Sequence, residues 1–155
     1  MDIKDFEYGF RFTDENYALF SEEELSEMEV LSDEEAEALW SKYCDNEVIP
    51  LCSFAVEGEG LGDLSMVIPD CGWGDEEAEP KTTRLFQSVL EPGPDGCVYV
   101  CYRKNKALKV SAELFCNKWS DFCYPSDYLI VHFGERALLY YEDCVFFLEQ
   151  RNEGA

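Results

Sequence analysis

The spacing of hydrophobic positions changes character near residue 96. From there Cys97 to Arg103 alternates between two faces with a period of two and is rich in aromatic and β-branched side chains, which predicts a β-strand. Residues 104–106 are typical of a turn. The apolar spacing over residues 111–122 then predicts a helix. Pro125 marks its end, because the residue before a proline avoids the helical conformation.

Three more strands are predicted at short intervals in the rest of the chain. They span about residues 127–133, 136–141 and 144–149, joined by the dipeptides Gly134-Glu135 and Glu142-Asp143. Connections of this length are typical of β-hairpins, so neighbouring strands are expected to run antiparallel. The second half is therefore predicted to be a β-α-β-β-β meander, and the fold class is α+β.

Two helix starts in the first half are marked by capping boxes. Ser21 is followed three residues later by Glu24, the spacing at which the two side chains can satisfy each other's backbone N–H groups. The same arrangement recurs from Ser32, and the helix predicted there spans about residues 33–45. Its apolar stripe consists of Ala36, Leu39, Trp40, Tyr43 and Cys44. If the two helices are neighbours, they present paired acidic faces.

Residues 57–80 are rich in glycine and proline and predict a long irregular stretch, with one short strand near residues 64–68. A third helix is predicted over about residues 81–90, with Leu85 among its inward-facing side chains. Together these elements predict one α+β domain formed by residues 1–155. In it, acidic N-terminal helices and loops pack with an antiparallel sheet built from residues 96–151.

The length and composition predict a self-sufficient core. Of the 155 residues, 46% are hydrophobic, and they include 3 Trp, 9 Tyr and 11 Phe. That composition is far from the signature of disorder. No signal peptide is recognised at the start, and no apolar run reaches the about 18 residues of a membrane span. The eight cysteines are therefore expected to be reduced, mostly buried thiols, and the expected location is the cytoplasm.

The formal charge of −22 is concentrated in the first half of the chain. Residues 1–80 contain 24 acidic and 3 basic side chains, whereas residues 81–155 contain 10 and 9. Net charge affects partners and association kinetics more than fold, so the asymmetry predicts a basic protein partner. It disfavours binding to anionic membranes or directly to nucleic acid. The candidate partner-binding residues are Glu22, Glu23, Glu24, Glu27, Glu34, Glu37, Glu57, Glu59, Asp63, Trp73, Asp75, Glu76, Glu77 and Glu79.

Trp73 lies between two glycines, immediately before the acidic run of residues 75–79. Two interpretations are open at this point. The ring packs beneath its own loop, or it is exposed and anchors an interface while the surrounding charges steer encounter.

The sequence shows no motif for catalysis, a cofactor or a metal. It has no CxxC pair, no EF-hand loop, no nucleophile elbow and no phosphate-binding glycine loop. The single histidine, His132, lies in a predicted strand, where a structural role is favoured over catalysis. The chain is therefore predicted not to be an enzyme and to require no cofactor. An enzyme built around His132, with a cysteine or serine as its partner, or around a reactive cysteine stays open as an alternative.

Two stretches resemble a known group of proteins. They are FCNKWSDFCYPSD at residues 115–127, ahead of the predicted strand meander, and LSDEEA at residues 31–36, followed by Leu39-Trp40. Both are similar to stretches of small acidic bacterial proteins, some of which resemble immunity proteins of polymorphic or contact-dependent toxin systems. The resemblance implies an immunity-type role and carries over no catalytic residues.

The leading hypothesis is a cytoplasmic inhibitory binding protein, an immunity protein that neutralises a basic toxin domain by electrostatic capture and steric occlusion. The main alternative is a nucleic-acid mimic, in which rows of carboxylates occupy the basic groove of a DNA- or RNA-binding protein. An enzyme built around His132 is a third possibility from a different class.

Overall fold

The structure is a computed structural model that describes residues 1–43, 66–91 and 94–148. Within these ranges, seven strands form one sheet in which all neighbouring strands run antiparallel. The strands are β1 (Met28–Val30), β2 (Met66–Ile68), β3 (Cys97–Arg103), β4 (Lys106–Ser111), β5 (Tyr128–Phe133), β6 (Arg136–Tyr141) and β7 (Cys144–Leu148). Helices pack on this sheet, so the predicted α+β fold class is confirmed.

The order across the sheet is β1-β4-β3-β5-β6-β7-β2. Strands β5, β6 and β7 form the predicted meander, with Tyr128 opposite Tyr141 and Tyr141 opposite Cys144. In the connection between β6 and β7, Glu142 and Asp143 have φ of 49° and 63°. Positive φ at both central residues is what a type I′ turn requires, and this turn matches the twist of the strands it joins.

The helices are α1 (Phe10–Thr13), α2 (Glu22–Ser26), α3 (Asp33–Trp40), α4 (Ala78–Val89), α5 (Ala112–Asn117) and α6 (Trp119–Phe122), with a 3-10 turn at Ile3–Asp5. Both predicted capping boxes are present. The Ser21 hydroxyl accepts from the backbone N–H of Glu24, and the Ser32 hydroxyl accepts from that of Glu35, both at 3.1 Å. The carboxylates of Glu24 and Glu35 accept in return at 2.9 and 3.2 Å. The last residue of the predicted stripe, Cys44, lies outside the described residues.

The structure differs from the sequence prediction around β4. The pattern predicts a turn over residues 104–106 and a helix over residues 111–122, with no element between them, whereas strand β4 spans Lys106–Ser111. Ala107 and Leu108 are buried in succession, so the alternation that marks a half-exposed strand is missing. In β4, Val110 lies opposite Val98 of β3 and Met28 of β1. Pairing on both sides therefore determines this strand, and the helix predicted over residues 111–122 is divided into α5 and α6.

Helix α4 begins earlier than predicted. The Oδ1 atom of Asp75 accepts from the backbone N–H groups of Glu77 at 2.8 Å and of Ala78 at 3.0 Å, which caps the first turn. Phe86 forms the centre of its buried face. The prediction that Leu85 faces inward is wrong, because this side chain is 43% exposed.

The two faces of the sheet are covered by different parts of the chain. One face packs against the N-terminal segment, α4, α5 and α6, in a cluster that includes Phe12 and Phe86. The other face packs against α3, where Ala36 and Trp40 are fully buried. Leu25 of α2 packs against the first cluster. Helices α2 and α3 therefore lie on opposite faces, and their acidic sides do not form one paired surface.

The six cysteines within the described residues are all free thiols. Those that are buried are Cys71, Cys101, Cys116 and Cys123, and those that are half-buried are Cys97 and Cys144. Burial raises the pKa of the Cys116 thiol to about 11. A thiol with so high a pKa stays protonated at neutral pH and behaves as a small hydrophobic side chain.

Candidate protein-binding surface

A loop between β2 and α4 carries Trp73 between two glycines. Gly72 and Gly74 have φ of 70° and 83°, in the left-handed region that favours glycine. A Cβ atom at Gly72 would also collide with the Cβ of Ala78, so only glycine fits there. The two glycines therefore set the direction in which Trp73 leaves the backbone.

Asp143, in the turn between β6 and β7, holds this loop against the sheet. Its Oδ2 atom accepts from the backbone N–H groups of Gly72 at 3.1 Å and of Trp73 at 3.2 Å. Its Oδ1 atom accepts from the Tyr140 hydroxyl at 2.8 Å. Its backbone carbonyl accepts from the N–H of Cys71 at 2.8 Å. Three hydrogen bonds to Asp143 thus fix the loop to a hairpin about 70 positions further along the chain, and the bond from Tyr140 holds Asp143 within that hairpin.

The indole ring of Trp73 is fixed at one end and exposed at the other. Its Nε1 atom donates to the backbone carbonyl of Ser120 at 2.7 Å. The ring meets Tyr124 edge to face, with centroids 5.9 Å apart, and the residue is 41% exposed. Of the two interpretations left open by the sequence, the structure therefore has the ring at the surface. The polar atom of this indole already has a hydrogen-bond partner and its apolar part is in water, so a partner protein can bury the ring without breaking a hydrogen bond.

Trp73 belongs to a set of four aromatic side chains that contact one another in succession. We call this set the aromatic row; it consists of Phe10, Tyr17, Tyr124 and Trp73. Ring centroids are 4.8 Å apart between Phe10 and Tyr17 and 6.5 Å apart between Tyr17 and Tyr124. Phe10 is 39% and Tyr17 is 55% exposed, and neighbouring Leu19 is 65% exposed. Exposed large apolar side chains that adjoin one another are typical of interaction sites.

Arg11 supports the row from inside the protein. Its guanidinium lies 4.0 Å from the ring centroid of Tyr124 and 6.0 Å from that of Phe10. It donates to both carboxylate oxygens of Asp127, at 2.6 and 2.9 Å, and to the carbonyl of Phe122 at 3.1 Å. Burial alone would lower the pKa of Arg11, but the hydrogen bond to Asp127 raises it, so the guanidinium stays charged. Asp127 Oδ2 also accepts from the N–H of Tyr124 at 2.7 Å, which fixes the backbone beneath that ring.

Exposed carboxylates adjoin the row at both ends. Asp14 and Glu15 belong to the tight turn that ends at Tyr17, and Glu76 and Glu77 follow Trp73. Glu15, Glu76 and Glu77 are exposed, and Asp14 is half-buried. Of the residues predicted from the sequence, Trp73, Glu76 and Glu77 are thus brought together at the row.

Two predicted acids of this loop have structural roles. Asp75 caps α4, and the hydrogen bonds from the backbone of Glu77 and Ala78 hold its pKa below the usual range. Glu79 accepts from the N–H of Gly74 at 2.6 Å and from the Ser120 hydroxyl at 3.2 Å. Both carboxylates therefore accept hydrogen bonds that shape the loop.

The predicted acids of α2 lie on the same face of the sheet as the row. Burial raises the pKa of Asp121, the nearby Lys118 lowers it, and the carboxylates of Glu79 and Glu24 raise it. Asp121 is therefore electrostatically coupled to both the Trp73 loop and α2. Glu24 is partly occupied, since it closes a capping box and pairs with Lys118 at 3.2 Å.

The remaining predicted acids differ in what they contact. Glu22 and Glu23 are exposed on α2, whereas Glu27 accepts from the Ser111 hydroxyl at 2.8 Å. Glu34 and Glu37 are exposed on α3, which covers the opposite face of the sheet from the row. The predicted residues outside the described part of the chain are Glu57, Glu59 and Asp63.

Two open grooves flank the row. One, of about 520 Å³, is lined by Phe10, Asp14 and Glu15 together with Leu19. The other, of about 460 Å³, lies between α4 and α6 and has Glu76 in its wall. Each groove combines apolar walls with carboxylates, and each also has one basic side chain in its wall, Lys4 in the first and Arg84 in the second.

His132 of strand β5 is a buried histidine. The residue is 3% exposed, on the sheet face that packs against α3, and its ring meets Tyr43 edge to face at 5.2 Å. Burial, and to a smaller degree Lys42, lowers the pKa of His132 to about 4. Its Nε2 atom makes no hydrogen bond. In the described parts of the chain no group of three His, Cys, Asp or Glu side chains could hold a metal ion, and no helix there could span a bilayer.

Sequence reasoning missed most of the aromatic row. Phe10, Tyr17 and Tyr124 give no signal in a single sequence, because an aromatic residue is more often buried than exposed. Arg11 does give a signal, since this charged residue lies between Phe10 and Phe12 in an apolar context. Its partner is too far along the chain for that signal to identify the site.

The comparisons with known proteins give one match. The model of a family described as a protein of unknown function (DUF2947) matches residues 1–148. No curated protein and no solved structure matches the chain. The match spans every strand and helix described above, including all four residues of the aromatic row.

Proposed function

The chain belongs to the DUF2947 family, and we propose that it is a binding protein that captures a basic protein through the aromatic row and the carboxylates around it. The observation that carries this proposal is the presentation of Trp73. The ring is 41% exposed although its backbone and its Nε1 atom are held by hydrogen bonds. A side chain already held in one orientation loses little entropy on binding, so it can contribute strongly to affinity.

The row has the composition of an interface centre. Tryptophan and tyrosine dominate the energetics of protein interfaces, since each buries a large area with few rotatable bonds. The charged residues lie at the ends of the row, in the position of a polar rim. Binding would therefore bury rings at the centre while the carboxylates meet cations at the edge.

The charge distribution supports a cationic partner. Glu22 and Glu23 on α2, Glu76 and Glu77 beside Trp73, and Asp14 next to Tyr17 all contribute to a negative field on one face of the sheet. Such a field can raise association rates towards about 10⁸–10⁹ M⁻¹s⁻¹ at low salt. Fast capture suits an inhibitor, and the specific form of the proposal is an immunity protein of the cytoplasm that blocks a basic toxin domain by occlusion, without catalysis.

The test is affinity capture from the native host at low salt, with the wild type and two variants. Trp73→Ala removes the anchor, and Met66→Ala removes a side chain that is 54% exposed on the edge strand β2, outside the row. We expect the wild type and Met66→Ala to retain the same basic protein and to release it at high salt. We expect Trp73→Ala not to retain it. Equal retention by all three proteins would contradict the proposal. Displacement of nucleic acid from the retained protein would favour the nucleic-acid mimic instead.

A further inference from the structure

We propose that the aromatic row accepts an arginine side chain of its partner, stacked on the exposed ring of Tyr17. This inference rests on the proposed function and specifies which cation the surface selects. Tyr17 is the most exposed ring of the row, at 55%, and it is nearly parallel to Tyr124, with planes 16° apart and centroids 6.5 Å apart. Flat, nearly parallel rings favour a flat ligand group.

Of the two basic side chains, only arginine carries a planar group. Guanidinium stacks on aromatic faces and is more weakly hydrated than the ammonium of lysine, so it loses less when it leaves water. Its attraction to the ring also adds to the hydrophobic contact. A surface made of exposed rings therefore discriminates between two side chains of equal charge.

The nearest carboxylates can pair with a guanidinium stacked on Tyr17. The backbone carbonyl of Asp14 accepts from the N–H of Tyr17 at 2.9 Å, so Asp14 and Tyr17 are the first and last residues of one tight turn. One oxygen of Asp14 accepts from the N–H of Asn16 at 2.9 Å, which orients the carboxylate. Glu15 is exposed beside it. Paired N–H donors of arginine match a carboxylate in a way that a single ammonium does not.

The same combination of groups already holds an arginine inside this protein. Arg11 lies within 4.0 to 5.4 Å of the ring centroids of Tyr124, Tyr102 and Tyr8, and it pairs with both oxygens of Asp127. Because Asp127 neutralises Arg11, the buried guanidinium does not repel a second one at the surface. At the exposed side of the row, Tyr17 and Asp14 thus provide the same two kinds of group, an aromatic ring and a carboxylate, that hold Arg11 at the buried side.

Trp73 gives a direct readout of binding. The two tryptophans besides it, Trp40 and Trp119, are 0% and 1% exposed, so fluorescence changes on adding a peptide report on Trp73. The probes are two peptides of about ten residues that alternate glycine with arginine or glycine with lysine, at equal charge. We expect the arginine peptide to bind about fivefold more tightly, since the ring contact contributes to arginine beyond charge.

Three variants make the test specific to the ring. Tyr17→Leu should abolish the preference for arginine, and Tyr17→Phe should retain it. Glu34→Gln with Glu37→Gln, on the opposite face of the sheet, should leave it unchanged. Equal affinity for both peptides, no measurable binding of either, or an intact preference in Tyr17→Leu would overturn the inference. Those outcomes leave the proposed function standing if a basic protein is still captured in a Trp73-dependent way.

Discussion

Arg11 and Asp127 join the beginning of the chain to its C-terminal sheet through a bidentate ion pair, with N–O distances of 2.6 and 2.9 Å across 116 positions. Both side chains are largely buried, at 6% and 16% exposure. The pair fixes α1 beside the residue that precedes β5. It thereby sets the distance between Phe10 and Tyr124, two members of the aromatic row.

Breaking this pair is expected to destabilise the fold strongly. In Asp127→Asn the buried guanidinium loses its counter-charge, and an uncompensated buried charge typically costs about 3–5 kcal/mol. The measurement is the free energy of unfolding from urea denaturation. Glu7→Gln is the matched control, since Glu7 and Arg103 are 3.7 Å apart and both exposed, and an exposed pair contributes little. Equal effects of the two substitutions would show that the buried pair contributes no more to the free energy of unfolding than the exposed pair does.

Gly72 and Gly74 are expected to tolerate alanine differently. Both have positive φ, and left-handed backbone costs a residue with a Cβ about 1–2 kcal/mol. At Gly72 the new methyl also collides with Ala78, whereas at Gly74 nothing lies within 4 Å. Gly72→Ala should therefore lower the free energy of unfolding more than Gly74→Ala, and should change the emission of Trp73. The prediction fails if Gly74→Ala is the more destabilising variant.

His132 is expected to make the fold less stable in mild acid. Its pKa is about 4 when folded, against about 6.5 in an unfolded chain, so the unfolded state binds its proton first as the pH falls. The stability loss begins near pH 6.5, is complete near pH 4, and amounts to about 3 kcal/mol for this lowering of the pKa.

The check is urea denaturation of the wild type and of His132→Phe at several pH values. Carboxylates also titrate in acid, so the informative quantity is the difference between the two proteins. That difference should change between pH 6.5 and 4 and be constant above pH 7. A constant difference over the whole range would contradict a buried neutral histidine.

The acids of α2 and α3 provide a charge-matched test of electrostatic capture. Glu22→Gln with Glu23→Gln removes two charges on the face that carries the row, and Glu34→Gln with Glu37→Gln removes two on the opposite face. With the captured basic partner, the first pair should slow association several-fold at low salt and flatten its salt dependence. The second pair should have a smaller effect, and stopped-flow fluorescence measures both. Equal effects would show that net charge matters and its location does not.

Elements whose signals are local were predictable from the sequence. The capping boxes at Ser21 and Ser32 use groups three residues apart, and the strands of the C-terminal meander are joined by two-residue turns. The fold class follows from these elements, because short connections between strands require antiparallel pairing. The excess of acid in the first 80 residues is likewise a property of the sequence alone.

Tertiary structure alone decided which strands complete the sheet and which rings stay in water. Strand β4 has buried residues in succession and exists because β3 and Met28–Val30 pair with it from either side. Tyr17, Tyr124 and Trp73 come from separate segments, and their exposure depends on Arg11, Ser120 and Asp143 beneath them. The physical reason is the same in both cases. Strand β4 pairs with β1 across 78 to 82 positions, and the hydrogen bonds that hold the rings join residues 47 to 116 positions apart, so no local pattern of apolar residues encodes these contacts.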